Sequence, residues 1–435
     1  MPEAKHFLTD NTAILHKITR IVLFLTSFSW TFNKIQDYMG ESTPIEKITT
    51  RMIPMIFVAG YCVMGPYKHM IKRMFRPGLI PILWYVMFGV ACGLTSAQPA
   101  LCLWKGAEIL ITMMWICVSC RDKESTKTEL LALTKYVEIL LWVTVFLAII
   151  NPSMGTMASA SIIPWIRGYL PILNPNAIGF LSVAALTRLM FLPARFKVVR
   201  MVLVLGTLLC AQSRTSYAVT LLALLIFIFD SLKKKNLFTV VVSSFFALMA
   251  LTLTMGWMDL LLQIVTRGES TEEIRTLSGR TDYWAFAFEH ISWMGNGLAV
   301  GSRSFIFLED HSVFAKSSIN THNSFVEALV GAGYIGAVPF IALIVMNIIR
   351  QLVGTVRRFE SADAIFCVYA VMFAARGMTS IVLAIFSFDF ILLMMFWAWI
   401  WTSSQTFDSA GPKPRPKPVV YEKTLHEQSL DQTTG

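Results

Sequence analysis

HNSFVEALVGAGYIGAVPFIALIVMNII, residues 322–349, holds one carboxylate, Glu327, and no lysine or arginine. A helix of that length crosses roughly 30 Å of hydrocarbon at about 1.5 Å of rise per residue. Lipid offers no water to the peptide groups, so the segment must satisfy them internally, and a helix does so. Working outward, comparable stretches fall at 14–32, 48–65, 78–96, 100–119, 132–151, 175–191, 198–212, 214–230, 237–257, 364–383 and 385–402. The first is interrupted by Lys17 and Arg20, whose stems can carry their charges to the membrane surface. The expected fold is therefore all-α: a polytopic membrane protein with about twelve transmembrane helices and one large, partly helical outer loop.

Composition agrees with that pattern. The 435-residue chain is 55% hydrophobic and 15% charged, with a mean hydropathy of +0.60. A soluble domain carries about 25% charged residues, so the polar surface needed to face water all round is missing. Residues 1–403 read as one transmembrane domain, with the outer loop at about 258–321. Residues 404–435, with GPKPRPKP at 411–418, read as a disordered cytoplasmic tail. The basic N-terminal segment runs into a span with no small-residue cleavage site, so no cleavable signal peptide is expected.

Charge fixes the orientation. Twenty lysines and arginines fall on one set of alternate connections, among them Lys72, Arg73, Arg76, Arg195, Lys197, Arg200 and Arg358. The short connections of the other set hold only Lys34, Lys47, Arg51, Arg167 and Arg214. The positive-inside rule puts both termini in the cytoplasm. It also explains the net charge of +10 through topology and anionic lipid, so no nucleic-acid partner is expected. The seven cysteines show no pair at metal-ligand spacing and read as small packers within helices.

Chemistry is sought at the outer rim and in the long loop, whose eight acidic residues face five basic ones. Within it, Thr281 to Ile291 sets Trp284, Phe288 and Ile291 on one helical face, which would roof a cavity. Three sites stand out. In Gln212-Ser213-Arg214, Ser213 is a suitable N-cap and places Arg214 in the first turn of the next helix. In Ser278-Gly279-Arg280, Arg280 stands beside a flexible glycine where the loop helix begins. In Thr321-His322-Asn323, His322 opens the span after the loop. All three put a basic or ionisable group where helix dipoles and first-turn N–H groups favour an anion.

Two arginines so placed make a diphosphate clamp, because guanidinium binds phosphate oxygens bidentately. The dipole would keep His322 neutral and able to accept a hydroxyl proton, with Asn323 and Glu327 as supporting residues. Plainer readings stand beside these. A boundary arginine anchors helices to headgroups, and the loop also holds Arg267, Arg275 and Arg303. A histidine at a helix start is often only a satisfied polar residue. Arg376 with Asp389, and Lys105 with Glu108, read as structural pairs that neutralise intramembrane charge.

At these residues the sequence resembles the O-antigen ligase / O-antigen polymerase family. QSRTSYAVTLLALL (212–225), SGRTDYWAFAFEHISWMGNGLAVG (278–301) and THNSFVEALVGAGYIGAVPF (321–340) carry the likeness, the last through His322, Asn323, Gly333 and Gly336. The resemblance implies a GT-C-like enzyme of the bacterial inner membrane, a metal-independent inverting glycosyltransferase acting on the periplasmic face and needing no cofactor. Arg214 and Arg280, with Ser213 and Gly279 beside them, would hold the diphosphate of an undecaprenyl-diphosphate-linked oligosaccharide, and His322 would act on the acceptor hydroxyl. The acceptor would be a second lipid-linked glycan for a polymerase of exopolysaccharide or O-antigen, or lipid A core for a ligase. Flippase and chain-length regulator proteins are the implied partners. The paired Arg-x10-Gly motifs of some family polymerases are missing, yet SGRTDYW sits closer to the exopolysaccharide branch. The rival from another class is a transporter or flippase, against which stand the lack of a half-to-half repeat and the outer position of the long loop.

Overall fold

The computed structural model describes residues 2–28, 45–64, 73–76, 78–96, 98–157, 165–233, 280–304, 321–358 and 361–408. The first five helices are α1 (Pro2–Thr26), α2 (Ile45–Met64), α3 (Ile80–Gly93), α4 (Pro99–Ser119) and α5 (Lys123–Ile150). After two short hairpins come α6 (Pro175–Phe191), α7 (Lys197–Ala211) and α8 (Arg214–Lys233). The loop helix α9 (Arg280–His290) precedes α10 (Ser324–Arg358), α11 (Ser361–Thr379) and α12 (Phe388–Asp408). These helices overlie eleven of the predicted stretches, while 237–257 and the tail from 409 onward lie outside the described residues. Among the described residues, four segments are long and apolar enough to cross a membrane: Pro99–Ser119, Lys123–Ile150, Arg214–Leu232 and Ser324–Thr355.

Which helices sit inside follows from their sequence pattern. A helix that is apolar all round has no face to offer water, and α6 and α12 are of this kind: nearly every residue from Ile178 to Phe191 and from Phe388 to Trp399 is buried. The peripheral helices do the opposite. On α5, Ile139, Trp142, Val143, Phe146, Ile149 and Ile150 recur at helical spacing and are all exposed. An outward apolar stripe of that size suits hydrocarbon, not water. The protein is a membrane protein.

Among the described residues, charged groups pair within the bundle, which offsets their desolvation. Lys105 Nζ lies 2.8 Å from Glu108 Oε2, with Arg51 Nη1 3.8 Å from Oε1, and Arg376 Nε donates to Asp389 Oδ2 at 3.1 Å. Both pairs expected from spacing are present.

The connection 151–174 carries two short hairpins. Antiparallel strands β1 (Thr156–Met157) and β2 (Trp165–Ile166) form one hairpin, and β3 (Gly168–Tyr169) and β4 (Ile172–Leu173) form another. Arg167 Nε donates to the Met154 carbonyl at 2.7 Å, and Trp165 Nε1 to the Ala211 carbonyl at 3.0 Å. The second bond holds the hairpin onto the turn where α7 gives way to α8.

α10 is not a continuous rod. Gly333 has φ +62°, a conformation glycine adopts without strain, and any Cβ there would run into the Trp293 carbonyl. The break frees backbone groups, and the segment after α9 takes them up. Asn296 N–H donates to Val330 O at 2.9 Å, Gly297 N–H to Gly331 O at 2.9 Å, and Tyr334 N–H to Ser292 O at 3.3 Å. On its other side Leu298 N–H reaches Gly89 O of α3 at 3.0 Å. Gly333 lies nine residues past the start of α10, about 14 Å along the axis. Irregular backbone at such depth is tolerated only where protein buries it, and Gly297, Leu298, Val300 and Gly301 are buried.

Candidate functional site at the outer rim

Gln212 ends α7 in the left-handed region (φ 47°), turning the chain so that Ser213 precedes α8. The Ser213 carbonyl accepts the Tyr217 N–H at 2.9 Å, which makes it the N-cap position. Its hydroxyl accepts from Ser216 Oγ at 2.8 Å, and both serines are fully buried. Gly179 of α6 makes room for them: a Cβ there would lie 2.6 Å from Ser216 Oγ and 2.7 Å from Ser213 Cβ. Arg214, half-buried, therefore emerges from a helix start pressed against the first turns of α6.

The start of α10 is capped more firmly. Asn323 Oδ1 accepts the N–H of Phe325 at 2.9 Å and of Val326 at 3.2 Å. The Asn323 carbonyl accepts Glu327 N–H at 2.9 Å. The N-cap is thus Asn323, and His322 lies one residue outside the helix with φ 50°, a left-handed conformation uncommon for a residue with a Cβ. Spacing alone had given His322 the helix-opening place; the side-chain amide claims it, because Asn reaches the N2 and N3 amides and imidazole does not. Ser324 Oγ donates to the Ser380 carbonyl and accepts Leu383 N–H at 3.1 Å, joining this turn to the link between α11 and α12.

Glu327, 3% exposed, is held by two hydroxyls. Ser302 Oγ donates to its Oε1 at 2.9 Å, and Thr321 Oγ1 to its Oε2 at 3.0 Å. Ser302 belongs to the one-turn helix Gly301–Ser304 of the long loop. The loop also reaches this turn through α9, where Trp284 Nε1 donates to the Thr321 carbonyl at 2.7 Å. Buried Ala287 of α9 is set against Val326 and Val330 of α10, with half-buried Trp284, Phe286 and, just past the helix end, Ile291 packed around them. Phe288, expected on that face, is half exposed, because Ala287, three residues after Trp284, takes the place against α10.

The structure thus joins two of the three predicted sites directly. Arg280 is the first residue of α9, one turn before the indole bonded to the residue ahead of His322. Arg214 reaches the same rim by a longer route. Next to Gly179, the Phe180 ring lies 4.3 Å beneath the Arg376 guanidinium, and Arg376 pairs with Asp389 at the start of α12. One turn on, the Ser380 carbonyl meets Ser324 at the start of α10. Gly279 lies outside the described residues, and Arg280 is placed here by its backbone. Trp284 and Ser302 carry no site signal in the sequence: Trp284 reads as an apolar contact, and nothing local marks Ser302.

Residues 199–341, a third of the chain, match the family described as O-antigen ligase. Over this region the chain is similar to the O-antigen ligase family. The matched O-antigen ligase region runs from α7 to past the break in α10 and takes in Ser213, Arg214, Arg280, His322, Asn323 and Glu327. Members of the O-antigen ligase family are glycosyltransferase-like enzymes, and the match supports ligase- or polymerase-type chemistry. No curated protein sequence matches the chain.

Proposed function

We propose that the protein polymerises exopolysaccharide or O-antigen repeat units on the periplasmic face of a bacterial inner membrane. In this reading about twelve spans cross the bilayer with both termini cytoplasmic, as the positive-inside count requires. The donor is an undecaprenyl-diphosphate-linked oligosaccharide, already activated, so neither metal nor cofactor is needed. An acceptor sugar hydroxyl attacks the anomeric carbon from the face opposite the diphosphate. As the new C–O bond forms, the bond to the diphosphate oxygen breaks and the configuration inverts.

Charge develops on the leaving diphosphate, where Arg214 and Arg280 at the starts of α8 and α9 oppose it, joined by the N–H dipoles of those turns. His322 takes the hydroxyl proton as general base. The observation that carries this reading is the Trp284–Thr321 bond, which sets the Arg280 helix beside the His322 turn inside the region matched to the O-antigen ligase family.

The family's description favours a second reading, a ligase passing finished glycan to lipid A core. Deletion separates the two. Lipid-linked single repeats accumulating without long chains mark a polymerase; long chains kept on undecaprenyl diphosphate above bare lipid A core mark a ligase. In either case Arg214→Ala, Arg280→Ala and His322→Ala should each insert normally and lose transfer by on the order of 10²-fold or more. Normal glycan from all three would sink the site.

A further inference from the structure

The left-handed turn at His322 is held from both sides, and on its N-terminal side everything converges on Thr321. Its carbonyl accepts the Trp284 indole N–H at 2.7 Å, and its hydroxyl lies 3.0 Å from Glu327 Oε2 and 2.9 Å from the Asn323 carbonyl. Glu327 in turn holds Ser302, so Thr321 touches α9 directly and the second piece of the outer loop through one carboxylate. A non-glycine residue at φ 50° persists only where its surroundings over-determine it, and Thr321 on one side with the Asn323 cap on the other supplies that constraint.

We propose that Thr321 is a positioning residue: held by Trp284 and Glu327, it latches the helix that begins at Arg280 to the turn that presents His322. This deepens the transferase reading and rests on it for its consequence in catalysis. The latch matters because a general base and a diphosphate-binding arginine carried by two separate segments act together only at fixed separation. A displacement of about 1 Å costs on the order of 10²-fold in rate. Buried hydroxyl and carboxylate groups that satisfy one another hold such a separation more rigidly than apolar contact does, since a hydrogen bond fixes direction as well as distance.

The test uses the full-length protein in its membrane. Thr321→Val keeps the shape and deletes the hydroxyl, Trp284→Phe deletes the indole N–H, and Thr321→Ser retains the hydroxyl. Two readouts are taken: glycan output in cells lacking the native copy, and the rate at which diethyl pyrocarbonate carbethoxylates His322, mapped by mass spectrometry. Thr321→Val and Trp284→Phe should cut glycan output on the order of 10- to 100-fold at unchanged protein level. They should also change the His322 labelling rate severalfold, and Thr321→Ser should restore both. Native labelling of His322 in Thr321→Val would overturn the latch, whatever the glycan result. Altered labelling in that variant, with normal glycan from His322→Ala, would leave the latch standing and remove the transferase role of His322 instead.

Discussion

The cross-links near the two ends of the bundle differ in balance, although the outer rim too carries an ion pair, Arg376–Asp389. At the end that charge assigns to the cytoplasm, the cross-links are ionic. Glu138 of α5 receives Arg188 Nη1 of α6 at 3.0 Å and a two-pronged contact from Arg200 of α7. Glu129 of α5 receives His16 Nε2 at 2.8 Å and Arg20 Nη1 at 3.3 Å, both from α1. At the outer rim, the links around the candidate site run through Ser213–Ser216, Thr321–Glu327–Ser302, the Asn323 cap and Ser324–Ser380. The inner arginines are committed to closing the bundle. Among the described residues, the links nearest His322 are hydroxyl, amide and carboxylate hydrogen bonds, which fix direction as well as distance.

The comparison is broken or sharpened by variants that should trade stability for activity. Glu138→Ala leaves two guanidinium groups in a largely buried place without their carboxylate; it should destabilise the protein by about 3 kcal/mol. The loss should appear as a lower thermal aggregation midpoint in detergent, whereas Arg214→Ala should leave that midpoint within a degree or two and stop transfer. Equal midpoints for the two would erase the distinction between the ends.

Gly333→Ala comes next. A Cβ at φ +62° facing the Trp293 carbonyl should cost roughly 1–3 kcal/mol and displace the inserted segment, read as faster proteolysis of the outer loop in spheroplasts. Asn323→Ala removes the cap of α10 and should cost about 1 kcal/mol, with a loss of transfer out of proportion to that small change because His322 adjoins it.

The smallest effect is at the inner end. Asp122 caps α5 in a reciprocal box with Ser125: the Ser125 amide donates to its Oδ1 at 2.8 Å, and Ser125 Oγ accepts the Asp122 N–H at 3.0 Å. The Ser125 amide bond, followed by its hydroxyl, holds the Asp122 carboxyl below the usual carboxylate range. A depressed folded value means that the contribution is complete above the ordinary carboxylate range and vanishes as pH falls through the lowered value. Asp122→Ala should therefore cost about 0.5–1 kcal/mol at neutral pH and nothing in strong acid, with transfer unchanged. A pH-independent deficit would contradict the box as the cause.

Much of this was legible in the residues because it is local. The spans at 100–119, 175–191 and 322–349 reappear as helices displaced by only a few residues at their ends, apart from α10, which runs on to Arg358. Lys105 and Glu108 sit three apart on one helix and had to meet. The start of α8 at Arg214 follows from Ser213 before an apolar run. The role of Asn323 was open to the same reasoning and was given to its neighbour, since spacing shows that a helix begins but not which side chain turns back onto the amides. The hairpins at 156–173, two residues per strand, carry no periodicity long enough to read.

The sequence alone determined that the chain is a bundle of apolar helices suited to a membrane, set an expected orientation through its charges, and put Arg214 and Arg280 at helix starts. Those properties are set within a few residues, by hydrocarbon thickness, by charge beside each span and by the amides of a first turn. Only the tertiary structure decided that the loop threads a break in α10 and that Trp284 grips Thr321 from 37 residues away. Contacts between distant segments depend on which helix surfaces fit together, and no local pattern encodes that fit.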